Sequence, residues 1–155
     1  VSRAPGPEPD LTLDLEILPE ADLPPNLDLH ALARLVAFAL RVEHAAGPWR
    51  VAVALVDDDR LRALHRDFMG IDEVTDAMTF PADEPGVAGG DIAVSVERAA
   101  DQAPGFGHTT AEEVRFLVVH GVLHLLGWDD ASEEERAAML ARQGEIIAAF
   151  SSAGD

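Results

Sequence analysis

VRFLVVHGVLHLLGWDD, residues 114–130, sets two histidines four apart in an apolar run and closes on a glycine, a tryptophan and two aspartates. Val118, Val119, Val122, Leu123, Leu125 and Leu126 leave this stretch almost no polar face. A helix of that kind is buried on most sides, which places it at the centre of a domain. The four-residue spacing puts His120 and His124 on one helical face, one turn apart, where a single divalent ion reaches both. Buried imidazoles need partners, because an unpaired buried polar group costs about 1–3 kcal/mol. Gly127 then lets the chain leave the helix through the left-handed conformation without a Cβ penalty, turning residues 129 and 130 back toward the histidines.

Written as a pattern the stretch is H-x-x-x-H-x-x-G-x-x-D, the ligand spacing of metzincin zinc sites with Asp130 in the third-ligand place. Two imidazoles and one carboxylate suit zinc and leave a fourth position open, as in catalytic sites. The same donors also hold non-haem Fe(II), and Asp129 is an alternative third ligand to Asp130. The competing reading is a pair of core histidines bonded to backbone or to Asp129, with no metal. Gly121 occupies the position where metalloproteases carry their general-base glutamate, so peptide hydrolysis by that route is disfavoured.

Outward from this helix the chain reads as one α+β domain over residues 11–150, behind a mobile Pro- and Gly-rich tail at 1–10. LTLDLEIL (11–18) alternates as a half-buried strand does, and Asp28 caps a helix expected over 29–45. WRVAVALV (49–56) gives a second strand and residues 57–70 a second helix, ending at Gly70. DAMTFP and GGDIAVSV read as two further strands across a loop. Helices follow over 110–126 and 132–150, the last opened by a capping box of Ser132 and Glu135. The expectation is a small mixed four-stranded sheet with four helices packed against it.

Composition narrows the function classes. The 155 residues are 48% hydrophobic and 26% charged, enough for one core. With no cysteine, a metal must be held by His, Asp or Glu. No apolar run spans a bilayer and the first residues lack a signal-peptide pattern, so a soluble cytoplasmic protein without membrane contact is expected. The net charge of -18, from 29 acids and 11 bases that are all arginine, argues against a generic nucleic-acid binder, and no DNA partner is expected.

The motifs together resemble the YbeY-type endoribonucleases, also described as rRNA maturation factors. Their signature H-G-x-L-H-L-L-G-[YW]-D-H is similar to H-G-V-L-H-L-L-G-W-D-D here. VTDAMTFP (74–81) resembles the family's P-T-D-V-L-S-F-P, GDIAVS (90–95) its G-D-I-x-I-S, and GHTTAEEVRFLVVHG its G-H-S, helix and H-G run. Met139 falls nine residues after Asp130, as the family methionine follows its last histidine. The resemblance, over about residues 50–147, implies a single metzincin-like α+β domain and one zinc ion on three protein ligands. It also implies single-strand-specific endoribonuclease action in rRNA maturation and ribosome quality control. His120 and His124 carry over directly, and Asp130 by position, where the family usually has histidine.

Two departures bear on activity. The carboxylate of Asp130 removes one unit of net positive charge from a zinc site, which weakens acidification of a bound water. Met69 stands where many members have arginine; Arg62 and Arg66, one turn apart, offer either a substitute cation or solvated partners for Asp58 and Asp67. Asp76, with Thr75, Thr79 and Phe80, is a candidate for lining a substrate groove or packing in a strand. Asp91 is a candidate for orienting a ligand histidine, or an ordinary turn residue; Asp129 shares that choice. Trp128 is read as packing on the preceding turn rather than stacking on a base. His30, His44, His65 and His108 lack ligand spacing and read as structural or surface residues. The expected partner is rRNA or a pre-ribosomal particle, reached through a partner protein given the acidic surface. The alternative function is a ribosome-assembly factor of the same fold with weak or no nuclease activity.

Overall fold

In the computed structural model, residues 10–70 and 75–152 are described, without the side chain of Met69. The tail expected at 1–10 therefore lies outside the described residues except for Asp10, as do the side chain of Met69 and positions 71–74 of the upstream motif. Four strands form one mixed sheet: β1 (Leu11–Pro19), β2 (Gly47–Val56), β3 (Ala77–Pro81) and β4 (Ala88–Ser95), in the order β1-β2-β4-β3. β1, β2 and β4 run parallel, and β3 closes one edge antiparallel to β4. Such a mixed sheet matches the expected fold class.

The helices are α1 (Leu29–Val42), α2 (Asp58–Met69), α3 (Val96–Gln102), α4 (Thr110–Leu125) and α5 (Glu133–Ser152), with a 3-10 turn at Ala103–Phe106 between α3 and α4. Each strand's alternation sends its apolar side chains to a defined face. Leu13 and Leu15 of β1, Val51 and Val53 of β2, and Ile92 and Val94 of β4 meet α1, α4 and α5 in the main core. On the other face, Val56, Ala93, Met78 and Phe80 meet Leu61 and Leu64 of α2 in a smaller cluster. The helical stripe Leu32, Leu35, Val36, Ala39 and Leu40 is fully buried. At about 1.5–3 kcal/mol for each large aliphatic removed from water, that stripe holds α1 to the sheet.

α4 is the central helix, touching β3, β4, α1, α3 and α5. It is buried nearly all round, as its lack of a polar face requires. Its start is fixed by a capping box: Thr109 Oγ1 accepts from the Glu112 N–H at 3.1 Å, and the Glu112 carboxylate accepts from the Thr109 N–H at 2.8 Å. The bond from the Thr109 backbone N–H, aided by the Thr109 hydroxyl, holds the Glu112 carboxyl below its ordinary value. Asp28 caps α1 as expected, accepting from the N–H groups of His30 and Ala31. At Ser132 only half of the expected box forms, with Glu135 N–H donating to Ser132 Oγ.

Gly121 marks where α4 presses closest to the sheet. A Cβ there would lie 2.7 Å from Cγ2 of the buried Ile92. The glutamate that metalloproteases carry at this position therefore has no room. Gly121→Glu is expected to cost more than about 3 kcal/mol, because overpacking and an unpaired buried charge add; thermal melting of the variant checks this.

Candidate metal centre

The left-handed turn read from Gly127 is present, with φ of +103°. The Trp128 N–H returns to the Leu123 carbonyl at 2.9 Å, closing the end of α4. Two consequences follow for the site. The Trp128 carbonyl comes to 3.1 Å from His124 Nδ1, and the Asp130 carboxylate is carried over the exposed ends of both imidazoles. Asp129 does something else: its Oδ1 accepts the Asp130 backbone N–H at 2.8 Å. Of the two neighbouring acids, Asp130 is the one grouped with the histidines.

The three donor atoms are tightly convergent. His120 Nε2 and His124 Nε2 are 3.0 Å apart, and Asp130 Oδ2 is 3.4 Å from each. Tetrahedral ligands about 2.0–2.1 Å from zinc are separated by about 3.3–3.4 Å, so this triangle has the size of a tetrahedral face. The far nitrogens decide the tautomer. His120 Nδ1 faces Gln143 Oε1 at 2.8 Å, and His124 Nδ1 faces a carbonyl, so both Nδ1 atoms carry the proton as donors. Both Nε2 lone pairs then point at one another across 3.0 Å, a repulsive arrangement that a cation between them relieves. The donor set fits a divalent ion.

The supporting contacts come from sequence-distant residues. Gln143 on α5 is fully buried, and its Nε2 donates to the Phe116 carbonyl at 3.3 Å, which keeps Oε1 turned to His120. Trp128 packs against the main core and donates through Nε1 to Glu43 at 2.8 Å. Glu43 in turn accepts from Arg142 Nε at 2.7 Å, and this bond raises the Arg142 guanidinium above its ordinary pKa. Trp128 is thus a fixed packing residue whose carbonyl orients His124. Gln143 and the Trp128 carbonyl do for the two histidines what Asp91 was a candidate to do.

A cleft of about 590 Å³ opens beside the histidines, with His120, Asp130 and Gln143 among its walls. Asp76, open between groove and strand packing from sequence, is among the residues that line it, and its carboxylate accepts from Gln102 Nε2 at 3.2 Å. Gln102 also donates to Glu113, which is buried and accepts from His108 Nδ1 at 2.8 Å. His108 is accordingly a cleft residue rather than a surface one. Asp91 is not brought to the site: it is the register partner of Ala52 and Phe80, on the α2 side of the sheet and opposite α4. Arg66 lies on α2 beside Asp67, at 3.3 Å, and does not line the cleft. Phe80 faces α2 and meets Phe68 edge-on at 5.3 Å, again away from the groove. The cleft's arginine is instead Arg136 of α5.

Known proteins resemble the chain in sequence and in fold. The family described as endoribonuclease YbeY matches residues 23–151. The chain belongs to the YbeY endoribonuclease family. A Geobacillus kaustophilus protein named endoribonuclease YbeY is 36% identical over 152 residues, covering 90% of this chain and 97% of its own length. The Carboxydothermus hydrogenoformans relative of the same name is 40% identical over 124 residues, covering 79% and 85%. Among solved structures, the solution structure of a Thermotoga maritima protein is similar with a TM-score of 0.61 at 29% identity, covering 88% of this chain and 89% of that one. No helix among the described residues is long and apolar enough to cross a membrane.

Proposed function

We propose that the chain is a metal-dependent endoribonuclease that cuts single-stranded rRNA during ribosome maturation, with His120, His124 and Asp130 holding one zinc ion. The observation that carries the metal is the triangle of three donor atoms 3.0–3.4 Å apart, each imidazole fixed with its Nε2 facing inward. The RNA substrate is supported by the names of the relatives.

A bound divalent ion supplies Lewis-acid polarisation of a phosphoryl oxygen and activation of an attacking water or ribose hydroxyl. The chain's own residues do the rest. Gln143 and the Trp128 carbonyl hold the two ring planes and keep protons on Nδ1, so neither histidine spends its inward nitrogen on a proton. Asp130, 38% exposed at the cleft mouth, adds a negative charge where the family usually has a neutral ring. This lowers the net charge of the centre and makes slower cleavage the expected consequence. The buried Glu113, with the half-buried Gln102 and Asp76, braces the start of α4 against α3 and the entry to β3, shaping the cleft wall.

Purified protein incubated with single-stranded and duplex rRNA fragments, with and without chelator, tests the reading. Expected are cleavage of the single-stranded fragment alone, its loss with chelator and its return with zinc. Metal retained without any cleavage under zinc, manganese or iron(II) would favour an assembly factor of the same fold, acting on a pre-ribosomal particle.

A further inference from the structure

Phe106 is an aromatic residue with 66% of its surface exposed, at the end of the 3-10 turn that leads toward α4. Water is a poor environment for a ring that the fold holds so firmly: Pro104 is the second residue of the turn, and Gly107 closes it with its N–H on the Pro104 carbonyl. The ring lines the cleft and begins an aromatic series, with His108 at 6.3 Å and His108 in turn 5.6 Å from Phe116. His108 is itself anchored to the buried Glu113. Glu113 and His120 are seven residues apart on α4, about 10 Å along the axis, so His108 is anchored about two helical turns from the histidine pair along the same helix.

Charge supplies the second half. The chain carries a net charge of -18, yet an RNA phosphate in this cleft needs a cation. Arg50, Arg66, Arg98 and Arg142 are each held by a carboxylate. Arg136 enters none of these pairs, is exposed, and lines the cleft together with His120 and Asp130. It sits on the same α5 face as Leu140 and Gln143, so packing of α5 on α4 directs that face to the cleft.

We propose that Phe106 and Arg136 form a single-strand RNA subsite in the cleft that holds His120 and Asp130, the ring stacking on an unpaired base and the guanidinium holding a phosphate. The proposal rests on the endoribonuclease reading and deepens it. A base can lie on Phe106 only when released from a duplex, which gives the cleft a physical basis for preferring single strands.

The test is binding of a short fluorescent single-stranded oligoribonucleotide, followed by anisotropy for the wild type, Phe106→Leu, Phe106→Trp and Arg136→Gln. Phe106→Leu is expected to weaken binding about 5- to 100-fold, and Phe106→Trp to retain it. A set of oligonucleotides with one base deleted at successive positions supplies the readout that a merely structural role would not move. One deletion weakens the wild type by a similar factor and Phe106→Leu no further. Arg136→Gln lowers the slope of log K against log salt by about 0.7, the loss of one phosphate contact on a single strand. Wild-type affinity and salt slope in both variants, or weakened binding without coupling to any base, overturns the subsite while leaving cleavage by the wild type intact. A wild type that neither binds nor cuts RNA overturns the subsite and the endoribonuclease reading together.

Discussion

His124→Ala is expected to leave a folded chain that no longer retains a divalent ion and no longer cuts RNA above background. The side chain is about a quarter exposed, so its removal opens a space that water enters, and its Nδ1 partner is the Trp128 carbonyl. What is lost is one of three donors spaced as a tetrahedral face, and two donors do not hold zinc in a catalytic site. Asp130→Ala is expected to have the same effect on metal retention. Asp129→Ala, which removes only a bond to a backbone N–H, is expected to keep it. Metal content of the purified variants by mass spectrometry reads both results. Retention by Asp130→Ala with loss in Asp129→Ala would reverse the assignment of the third ligand.

Gln143→Leu is expected to reduce metal affinity about 10- to 100-fold although Gln143 touches no metal. The substitution roughly conserves volume but leaves the His120 Nδ1–H facing an apolar group inside the core, where an unsatisfied donor costs about 1–3 kcal/mol. The cheapest escape is for His120 to move its proton to Nε2, which removes the lone pair from the site. Competition with a fluorescent zinc chelator measures the change. A variant that binds as tightly as the wild type would show that the Gln143 bond does not set the tautomer. Melting temperature should fall as well, and the loss of affinity should persist well below it.

The two residues of largest effect differ in how visible they are from sequence. His120 and His124 announce themselves by a spacing that is purely local, and Gly127 by a backbone need that is local too, so the centre of the site is legible in eleven residues. Asp130 is legible only to within one position, because the choice between neighbouring carboxylates depends on the angle at which the chain leaves Gly127. Gln143 and Glu43 carry no such signal. Each is an ordinary polar residue on a helix, and each becomes a partner of the site only because α4 packs on α5 and α1. Glu113 is hidden for another reason: in TTAEEV two adjacent acids look alike, but one caps the helix at the surface and the other turns inward to His108 and Gln102.

The fold was readable to the same degree. Four strands and four long helices follow from periods of two and 3.6, and their ends are where Asp28, Gly70 and Gly127 place them. α3 escapes because seven residues are too few to show a helical period; Ser95, buried and capping Arg98 N–H at 3.0 Å, starts it from the end of β4. Asp91 misleads because its local setting, after two glycines, says nothing about which face of β4 it takes. Strand alternation with Ile92 settles that, putting Ile92 against Gly121 and Asp91 on the opposite face.

The central claim is that His120, His124 and Asp130 hold one divalent ion. Its most direct test is the metal stoichiometry of the wild-type chain, stripped with chelator, reloaded with zinc and freed of excess by gel filtration. One zinc per chain is expected. A wild type that folds normally and returns no stoichiometric metal would contradict this, and the two imidazoles would then be structural histidines held by Gln143 and the Trp128 carbonyl.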